Sequence, residues 1–342
     1  MSTVRCTLVL LTASLAGLSG CSSYIAHQIV EAPNRLQTPV EKQMRVATFL
    51  ETLDLQDFSR TARVPVGPPP AMLSIAVLPP GNAGLEYTTQ VTKHHASFNF
   101  HMDALQAYAA KPKGTIVLLP AFQNGKYMML PWAFVLAKQG YQCVLVDLRG
   151  EGLSTGDWVT WGNVESRDVE QLIQWLDARN IVAGPLVLMG VSYGASMALR
   201  SAALDAQVRA VVAIEPFVNA VDVIKRGGRL MFPTLSHFVS DAQLNRAIEQ
   251  ADKLAATRLE NASTLPAARR LTIPVLYVHA DEDRFIPEKE FQQLVAATND
   301  AQLIRIADAN HITLPIEMQR YQQAVLNWLA VKLNTESAPR RK

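Results

Sequence analysis

A single serine stands between two glycines where the sequence changes from a strand pattern to a helix pattern. The segment is Gly190-Val191-Ser192-Tyr193-Gly194, with the apolar run Pro185 to Met189 before it and helix-forming residues after it. A serine hydroxyl is a poor nucleophile at neutral pH, so a reactive serine is held on a sharp strand-to-helix turn beside a base. Because glycines let the strand and the helix approach closely, the segment predicts that Ser192 is a nucleophile. A structural glycine-serine turn is the alternative.

A reactive serine needs a base, and three histidines follow it in the chain. His237 lies in an irregular segment and His279 inside a predicted strand, whereas His311 lies in a loop directly after a predicted strand. Loops at the carboxyl ends of parallel strands carry the sites of open sheets. We therefore expect His311 to be the base, with a surface histidine as the alternative.

The base in turn needs a carboxylate that orients its ring. The loop after the predicted strand Ile273 to His279 offers three carboxylates, namely Asp281, Glu282 and Asp283. Spacing alone does not choose among them.

Strands and helices alternate through the part of the chain that carries these residues. This alternation predicts right-handed crossovers and a mostly parallel, doubly wound α/β sheet with helices on both faces. The alternation stops between residues 216 and 270, where Ser240 and Gln243 predict a capping box at the start of an amphipathic helix. We expect this insert to be a small helical cap over the strand ends, placed before the strand that leads to the acid. The predicted strands are Thr115 to Leu119, Tyr141 to Asp147, Pro185 to Met189, Val208 to Ile214, Ile273 to His279 and Gln302 to Ala307.

In their order along the chain, these motifs resemble the α/β-hydrolase superfamily, in its monoacylglycerol-lipase or serine-aminopeptidase-like branch. The resemblance covers residues 114 to 333 and includes the loop Arg149 to Ser154, which is similar to the family's Arg-Gly-x-Gly-x-Ser loop. It implies that Asp283 is the acid, because residues 280 to 287 correspond to the family pattern Gly-x-x-Asp-x-x-Val-Pro. Glu215 is the alternative, since some relatives place their acid at the end of that earlier strand.

The resemblance also implies an oxyanion hole. Relatives carry His-Gly before the first donor, whereas this chain carries Pro120-Ala121, and a proline has no N–H to donate. Matching positions makes the backbone N–H groups of Phe122 and Tyr193 the donors, and Gln123 could add a side-chain amide. No metal or organic cofactor is expected, since the histidines near residues 94 to 101 lack a ligand set and fit a hairpin of two antiparallel strands.

The first residues resemble a bacterial lipoprotein signal peptide. Arg5 supplies a positive charge, residues 8 to 18 form a short apolar run, and Leu18-Ser19-Gly20 precede Cys21. The resemblance implies cleavage before Cys21 and acylation of that cysteine, with an ordinary secretory signal as the alternative. The lipoprotein resemblance implies the bacterial cell envelope as the location, and Ser22 after the cysteine resembles a signal for sorting to the outer membrane rather than the inner one.

Composition limits the remaining possibilities. The chain is 49% hydrophobic with a net charge of +2, which is typical of a globular domain and gives no electrostatic argument for a nucleic-acid partner. After processing, Cys143 would be the last unmodified cysteine, and its apolar surroundings predict a buried side chain. The expected division is a signal peptide at 1–20, a spacer at 21–70, core at 71–215, a cap at 216–270, core at 271–335 and a basic tail at 336–342.

Together these features predict a lipid-anchored serine hydrolase. We expect it to cleave small-molecule carboxylic esters with apolar acyl groups through an acyl-enzyme, because the first part of the cap segment carries several apolar side chains, among them Phe217, Met231 and Phe232. An aminopeptidase-like exopeptidase and a non-catalytic envelope scaffold are the alternatives.

Overall fold

The fold is known from a computed structural model that describes residues 16–35, 60–82, 85–92, 95–102, 106–236 and 238–334. Its strands are β1 Arg60–Val66, β2 Ala71–Leu78, β3 Gly81–Asn82, β4 Leu85–Thr92, β5 His95–Met102, β6 Gln106–Ala107, β7 Thr115–Leu119, β8 Gln142–Val146, β9 Leu186–Val191, β10 Val208–Ile214, β11 Val275–Ala280 and β12 Ala301–Ile306.

The main sheet has eight strands in the order β1-β2-β8-β7-β9-β10-β11-β12. The strands from β8 to β12 in this order run parallel, and β1 and β2 are antiparallel at one edge. In β9, Leu188 packs into the core on one face and Met189 into the core on the other. A strand buried on both faces needs a continuous apolar run, which is what the sequence before Ser192 provides.

Helices cover both faces of the main sheet. The helices at residues 130–138 and 322–334 pack on one face, and those at 165–177, 193–202 and 288–297 pack on the other. This arrangement confirms the prediction of a doubly wound α/β sheet. The helices are α1 Ala16–Val30, α2 Leu130–Lys138, α3 Glu165–Asp177, α4 Tyr193–Ala202, α5 Ala220–Met231, α6 Pro233–Ser236, α7 Asp241–Leu254, α8 Leu265–Ala268, α9 Glu288–Ala297 and α10 Gln322–Asn334.

The insert between β10 and β11 is helical, and it comprises α5 to α8. The predicted capping box is present at the start of α7: the Gln243 N–H donates to Ser240 Oγ at 3.3 Å, and the Ser240 N–H donates to Gln243 Oε1 at 2.9 Å. Arg226 on α5 donates hydrogen bonds to the Phe285 carbonyl oxygen and to the Glu290 carboxylate. These contacts hold the cap against the loop that follows β11 and against α9.

The N-terminal segment differs from the predicted spacer at 21–70. Ala26 and Val30 on α1 are fully buried, and the Val159 N–H donates to the Val30 carbonyl oxygen at 2.8 Å. At the other end of the predicted spacer, β1 pairs with β2 along its whole length, and an edge strand tolerates Pro65. The described residues 22–35 and 60–70 therefore pack on the domain, and residues 36–59 lie outside the described part of the chain.

Three smaller elements lie outside the main sheet. Leu85–Thr92 and His95–Met102 form the expected antiparallel hairpin. Asn163, just before α3, contacts the cap segment: its side-chain amide donates to Thr257 Oγ1 and to the Arg258 carbonyl oxygen, both at 2.9 Å. A short 3-10 helix at Met318–Arg320 precedes α10. Residues 1–15 of the predicted signal peptide (1–20) and the predicted basic tail at 336–342 lie outside the described residues.

None of the helices that the structure describes combines the length and the apolar character needed to cross a bilayer.

Candidate active site

Ser192 lies on the turn between β9 and α4. Its φ of 51° is in the left-handed region, which a residue with a side chain adopts only at a cost. The turn is closed by close backbone packing: a Cβ added at Gly194 would lie 2.2 Å from the Leu119 carbonyl oxygen, and one added at Gly190 would lie 2.3 Å from the Gly194 backbone. Both positions therefore require glycine, which explains the spacing seen in the sequence.

The structure brings together three of the residues predicted for the site. Ser192 Oγ lies 2.9 Å from His311 Nε2, and His311 Nδ1 lies 2.7 Å from Asp283 Oδ2. The other oxygen of Asp283 accepts hydrogen bonds from the N–H groups of Phe285 at 2.7 Å and Ile286 at 2.8 Å. The Phe285 ring stacks on the His311 ring with 4.9 Å between centroids. Each member of the series is thus fixed by a further contact.

The charge on Asp283 is maintained by its partners. Burial opposes its ionisation, but the hydrogen bond and electrostatic attraction of His311, together with hydrogen bonds from Glu215 and the Ile286 N–H, outweigh burial and hold the pKa of Asp283 below its ordinary value. An ionised Asp283 that faces Nδ1 selects the ring tautomer with the proton on Nδ1. Nε2 is then free to accept the proton of Ser192.

Glu215, the alternative acid, lies beside Asp283 rather than against His311 Nδ1. One of its oxygens accepts the Ala280 N–H at 2.7 Å, and the other lies 2.8 Å from His279 Nδ1. Burial and the neighbouring Asp283 carboxylate hold the pKa of Glu215 well above its ordinary value. The raised pKa favours the protonated form of Glu215, which adds no second negative charge beside Asp283.

Glu215, Asp283 and His311 are also the group of described side chains whose ligand atoms are close enough to surround a cation, all within 4.8 Å of one another. These atoms already bond to the protein: those of His311 contact Ser192 and Asp283, and those of Glu215 contact Ala280 and His279. The arrangement suits proton transfer rather than metal ligation.

The predicted oxyanion donors lie at the expected elements. Tyr193 is the first residue of α4, where backbone N–H groups have no partner within the helix. Neither the Tyr193 N–H nor the Phe122 N–H donates to another residue in the described part of the chain, whereas the Gln123 N–H donates to Glu151 Oε1 at 2.9 Å. Two free N–H groups at this position can bind a negative oxygen. Glu151 belongs to the Arg149 to Ser154 loop, which thus supports the segment that carries Phe122.

An aromatic residue that the sequence analysis did not single out completes this side of the site. The Trp161 ring lies 4.7 Å from the Phe122 ring and 5.8 Å from the Tyr193 ring, measured between centroids. Its indole N–H donates to the Ile29 carbonyl oxygen of α1 at 2.9 Å. No local sequence pattern around Trp161 indicates this role, because the contacts join segments far apart in the chain.

The Arg149 to Ser154 loop is held by a buried ion pair. Arg149 Nε and one terminal nitrogen donate to the two oxygens of Asp168 at 2.7 and 2.8 Å, and both side chains are almost fully buried. This two-pronged contact fixes the loop against α3.

The remaining candidates lie away from the hydroxyl of Ser192. Asp281 pairs with Arg305 at 2.9 Å, Glu282 is exposed, and His279 is buried in β11. Cys143 is fully buried, and burial raises the pKa of its thiol. His237 lies outside the described residues, and of Cys21 only the backbone, within α1, is described.

The fold and this arrangement define an α/β hydrolase. The chain belongs to the X-Pro dipeptidyl-peptidase family (S15 family), whose family model matches residues 67–313. It is therefore a hydrolase, while the monoacylglycerol-lipase or serine-aminopeptidase-like branch, the signal peptide and the catalytic roles of the site residues stay predictions.

Solved structures share the fold at low sequence identity. The Pyrococcus furiosus esterase Pf2001 is 17% identical, with 82% of this chain and 93% of that chain covered and a TM-score of 0.58. The 2,6-dihydroxy-pseudo-oxynicotine hydrolase is 14% identical over 92% of this chain and 78% of that chain, with a TM-score of 0.59. A proline iminopeptidase from Mycobacterium smegmatis is 13% identical over 81% of this chain and 100% of that chain, with a TM-score of 0.55. No curated protein matches the chain at a significant level.

Proposed function

We propose that the chain is a lipid-anchored serine hydrolase that cleaves carboxylic esters with apolar acyl groups through an acyl-enzyme. The observation that carries the proposal is the contact of Ser192 Oγ with His311 Nε2 at 2.9 Å, continued from His311 Nδ1 to Asp283 at 2.7 Å. A strained serine, an accepting imidazole nitrogen and a buried carboxylate are the groups that acyl transfer to serine requires.

In the first half of the reaction, Ser192 Oγ attacks the ester carbonyl carbon while its proton moves to His311 Nε2. The carbonyl oxygen becomes an oxyanion, to which the N–H groups of Phe122 and Tyr193 donate. The imidazolium keeps its Nδ1 proton, which faces Asp283. When the carbon–oxygen bond to the alcohol breaks, the Nε2 proton goes to the leaving oxygen, and an acyl-enzyme remains on Ser192.

In the second half, a water molecule replaces the alcohol. His311 Nε2 takes a proton from this water as its oxygen attacks the acyl carbon. The same two N–H groups receive the second oxyanion, and the proton returns to Ser192 Oγ when the carboxylic acid leaves. Over the whole cycle, the alcohol leaves with the proton of Ser192, and the attacking water restores that proton to Ser192 through His311.

The cap supports an apolar acyl group. Phe217 and Val218 are buried where the cap joins the core, whereas Met231, Phe232 and Phe238 are 57%, 58% and 76% exposed. The cap thus carries more apolar surface than its attachment uses, and such surface can receive an acyl chain and exclude water from the ester.

A serine exopeptidase is the second candidate, and membership in the X-Pro dipeptidyl-peptidase family favours it. An exopeptidase that recognises a free amino terminus needs a carboxylate near the entrance. Beside the cap helix α5, Asp241 pairs with Arg229 and Glu290 pairs with Arg226, and Asp222 is the acid of α5 itself. Replacing Asp222 by Asn should weaken hydrolysis of substrates with a free amine if the chain is a peptidase, and should leave neutral esters unaffected.

A substrate series separates the two candidates. We expect kcat/KM for p-nitrophenyl esters to rise with acyl length by about 1 kcal/mol of transition-state binding per methylene until the pocket ends. Aminoacyl and X-Pro dipeptidyl anilides should react more slowly. Rates that ignore chain length, or that favour the anilides, would instead support the exopeptidase.

Labelling with a fluorophosphonate tests whether the chain is an enzyme at all. Wild type should be labelled and Ser192→Ala should not. Absence of labelling in native wild type would favour the non-catalytic envelope scaffold.

The lipid anchor rests on the sequence before Cys21, and its place in the outer membrane on Ser22. The Cys21→Ser variant should remain unprocessed and lack lipid, which mass spectrometry and detergent-phase partitioning would detect. A variant that still matures and still carries lipid would show that the anchor lies elsewhere.

A further inference from the structure

A cavity of about 650 Å³ lies between α3, α4 and the cap segment that runs from Ala256 to Arg270. Its volume falls within the range of small-molecule sites. None of the residues that line it is acidic. Four of them are arginines, namely Arg167, Arg200, Arg258 and Arg270.

The arginines of this cavity have no carboxylate partner. Across the residues that the structure describes, none of the four forms an ion pair. Arg167, Arg258 and Arg270 are exposed, whereas Arg200 is recessed on α4. Guanidinium groups that converge on one cavity without acids are suited to an anion, because their planar donors match carboxylate and phosphate oxygens.

Arg200 has an unused donor. One of its terminal nitrogens donates to Asn163 Oδ1 at 3.0 Å, and the other is buried without a partner. Burial lowers the pKa of Arg200, and the negative charge of the nearby Glu165 partly opposes this shift. Its oxygens already accept hydrogen bonds from Thr160 at 2.6 and 2.7 Å and from the Gly162 N–H at 2.7 Å. A buried charged donor without an acceptor is costly, and negative charge bound in the adjacent cavity would offset part of that cost through electrostatic attraction.

We propose that this arginine cavity binds a small molecule that carries a phosphate group. A phosphate offers several anionic oxygens, so it can accept from Arg200 in the recess and from the exposed arginines at the rim. The site is separate from the reacting serine, because Arg200 follows Ser192 by eight residues along α4, a distance of about 12 Å along a helix axis. A ligand there would join α4 of the core to the cap segment that carries Arg258 and Arg270.

The test is calorimetric binding to the full-length protein in detergent. Two probes distinguish the source of the phosphate: inorganic pyrophosphate stands for a free phosphorylated solute, and glycerophosphoglycerol is the deacylated headgroup of phosphatidylglycerol. The variants are Arg200→Gln and Arg270→Gln. Arg269→Gln is the matched control, because Arg269 is exposed next to Arg270 but does not line the cavity.

We expect one of the two probes to bind wild type, and Arg200→Gln and Arg270→Gln each to weaken its Kd at least about tenfold, the loss typical of one charge-assisted hydrogen bond. Arg269→Gln should change the Kd less than about twofold, since surface charges separated from a site are screened. Because Arg270 is on the surface, its variant should fold even if Arg200→Gln does not, which thermal unfolding would show.

Binding of neither probe to wild type would overturn the proposal. An equal loss of affinity in Arg269→Gln and Arg270→Gln would also overturn it, since that result would indicate attraction by general positive charge. The proposal does not depend on hydrolysis: Ser192→Ala, which should be inactive under the proposed function, should bind the probe with unchanged Kd.

Discussion

The contrast between Asp283→Asn and Glu215→Gln tests which carboxyl group orients the base. Asp283 Oδ2 lies 2.7 Å from His311 Nδ1. In Asp283→Asn an amide takes the place of the carboxylate, so its NH₂ group can face Nδ1 and select the tautomer with the proton on Nε2. That nitrogen can no longer accept the proton of Ser192. In the serine-protease template this change costs about 10⁴ in kcat, or about 5.5 kcal/mol.

Glu215→Gln should have a much smaller effect. Because burial and Asp283 hold the pKa of Glu215 well above its ordinary value, the neutral form is favoured, and glutamine matches that form in charge and shape. In wild type the Ala280 N–H donates to Glu215 Oε1 at 2.7 Å, and the amide oxygen of the glutamine can still accept this hydrogen bond. We expect kcat to fall less than about tenfold, the scale of one neutral hydrogen bond.

The assay is kcat for p-nitrophenyl acetate at neutral pH, with thermal unfolding to confirm that both variants fold. Asp281→Asn serves as the surface control, since Asp281 pairs with the exposed Arg305. If Glu215→Gln lost about 10⁴ in kcat and Asp283→Asn were tolerated, the acid would be Glu215 and the assignment drawn from the hydrogen bonds would be refuted.

Three further predictions concern stability. Gly194→Ala should destabilise the fold by more than about 2 kcal/mol and reduce kcat, because its Cβ would lie 2.2 Å from the Leu119 carbonyl oxygen. Gly228→Ala is the control, since a Cβ there would have nothing within 4 Å, and it should be neutral or slightly stabilising. Urea denaturation measures both effects. Arg149→Met should cost about 3–5 kcal/mol of unfolding free energy, since it leaves the Asp168 carboxylate buried without its partner, and a loss below about 1 kcal/mol would contradict this. Because the pKa of Glu215 is raised on folding, the folded state keeps a proton on Glu215 that the unfolded chain releases above pH 4.5, so this group should lower the free energy of unfolding of wild type as pH rises from 4.5 towards the raised pKa. The free energy of unfolding of Glu215→Gln should depend less steeply on pH over this range. An unchanged slope would show that other groups cause the pH dependence.

Local patterns predicted the elements around the serine well. The apolar run before Gly190 and the helix formers after Gly194 describe β9, the turn and α4 through neighbouring residues alone. His311 followed from chain order and its place after a strand. Asp283 needed the family pattern, because three carboxylates share one loop and the choice among them depends on which side chain turns inward.

Features that depend on contacts between distant segments were not predictable in the same way. The pairing of Glu215 with His279 arises because β10 and β11 are neighbours in the sheet. The position of Trp161 against Phe122 arises from the folding of a loop with no regular pattern. The packing of α1 was missed because its residues overlap the lipoprotein signal, whose apolar run suggested a removed segment followed by a spacer.

The packing of α1 changes what an anchor at Cys21 would do. The next residue, Ser22, is buried, and its hydroxyl lies 3.4 Å from the Gln243 carbonyl oxygen on the cap helix α7. Further along the same helix, the Ile29 carbonyl oxygen accepts the Trp161 indole N–H, and Trp161 packs on Phe122. If the proposed lipid is attached at Cys21, the domain is held directly at the membrane surface instead of on a spacer. The anchored helix then contacts both the cap and, through Trp161, the segment that carries Phe122, the proposed oxyanion donor, so a single helix would connect the membrane surface with both sides of the site.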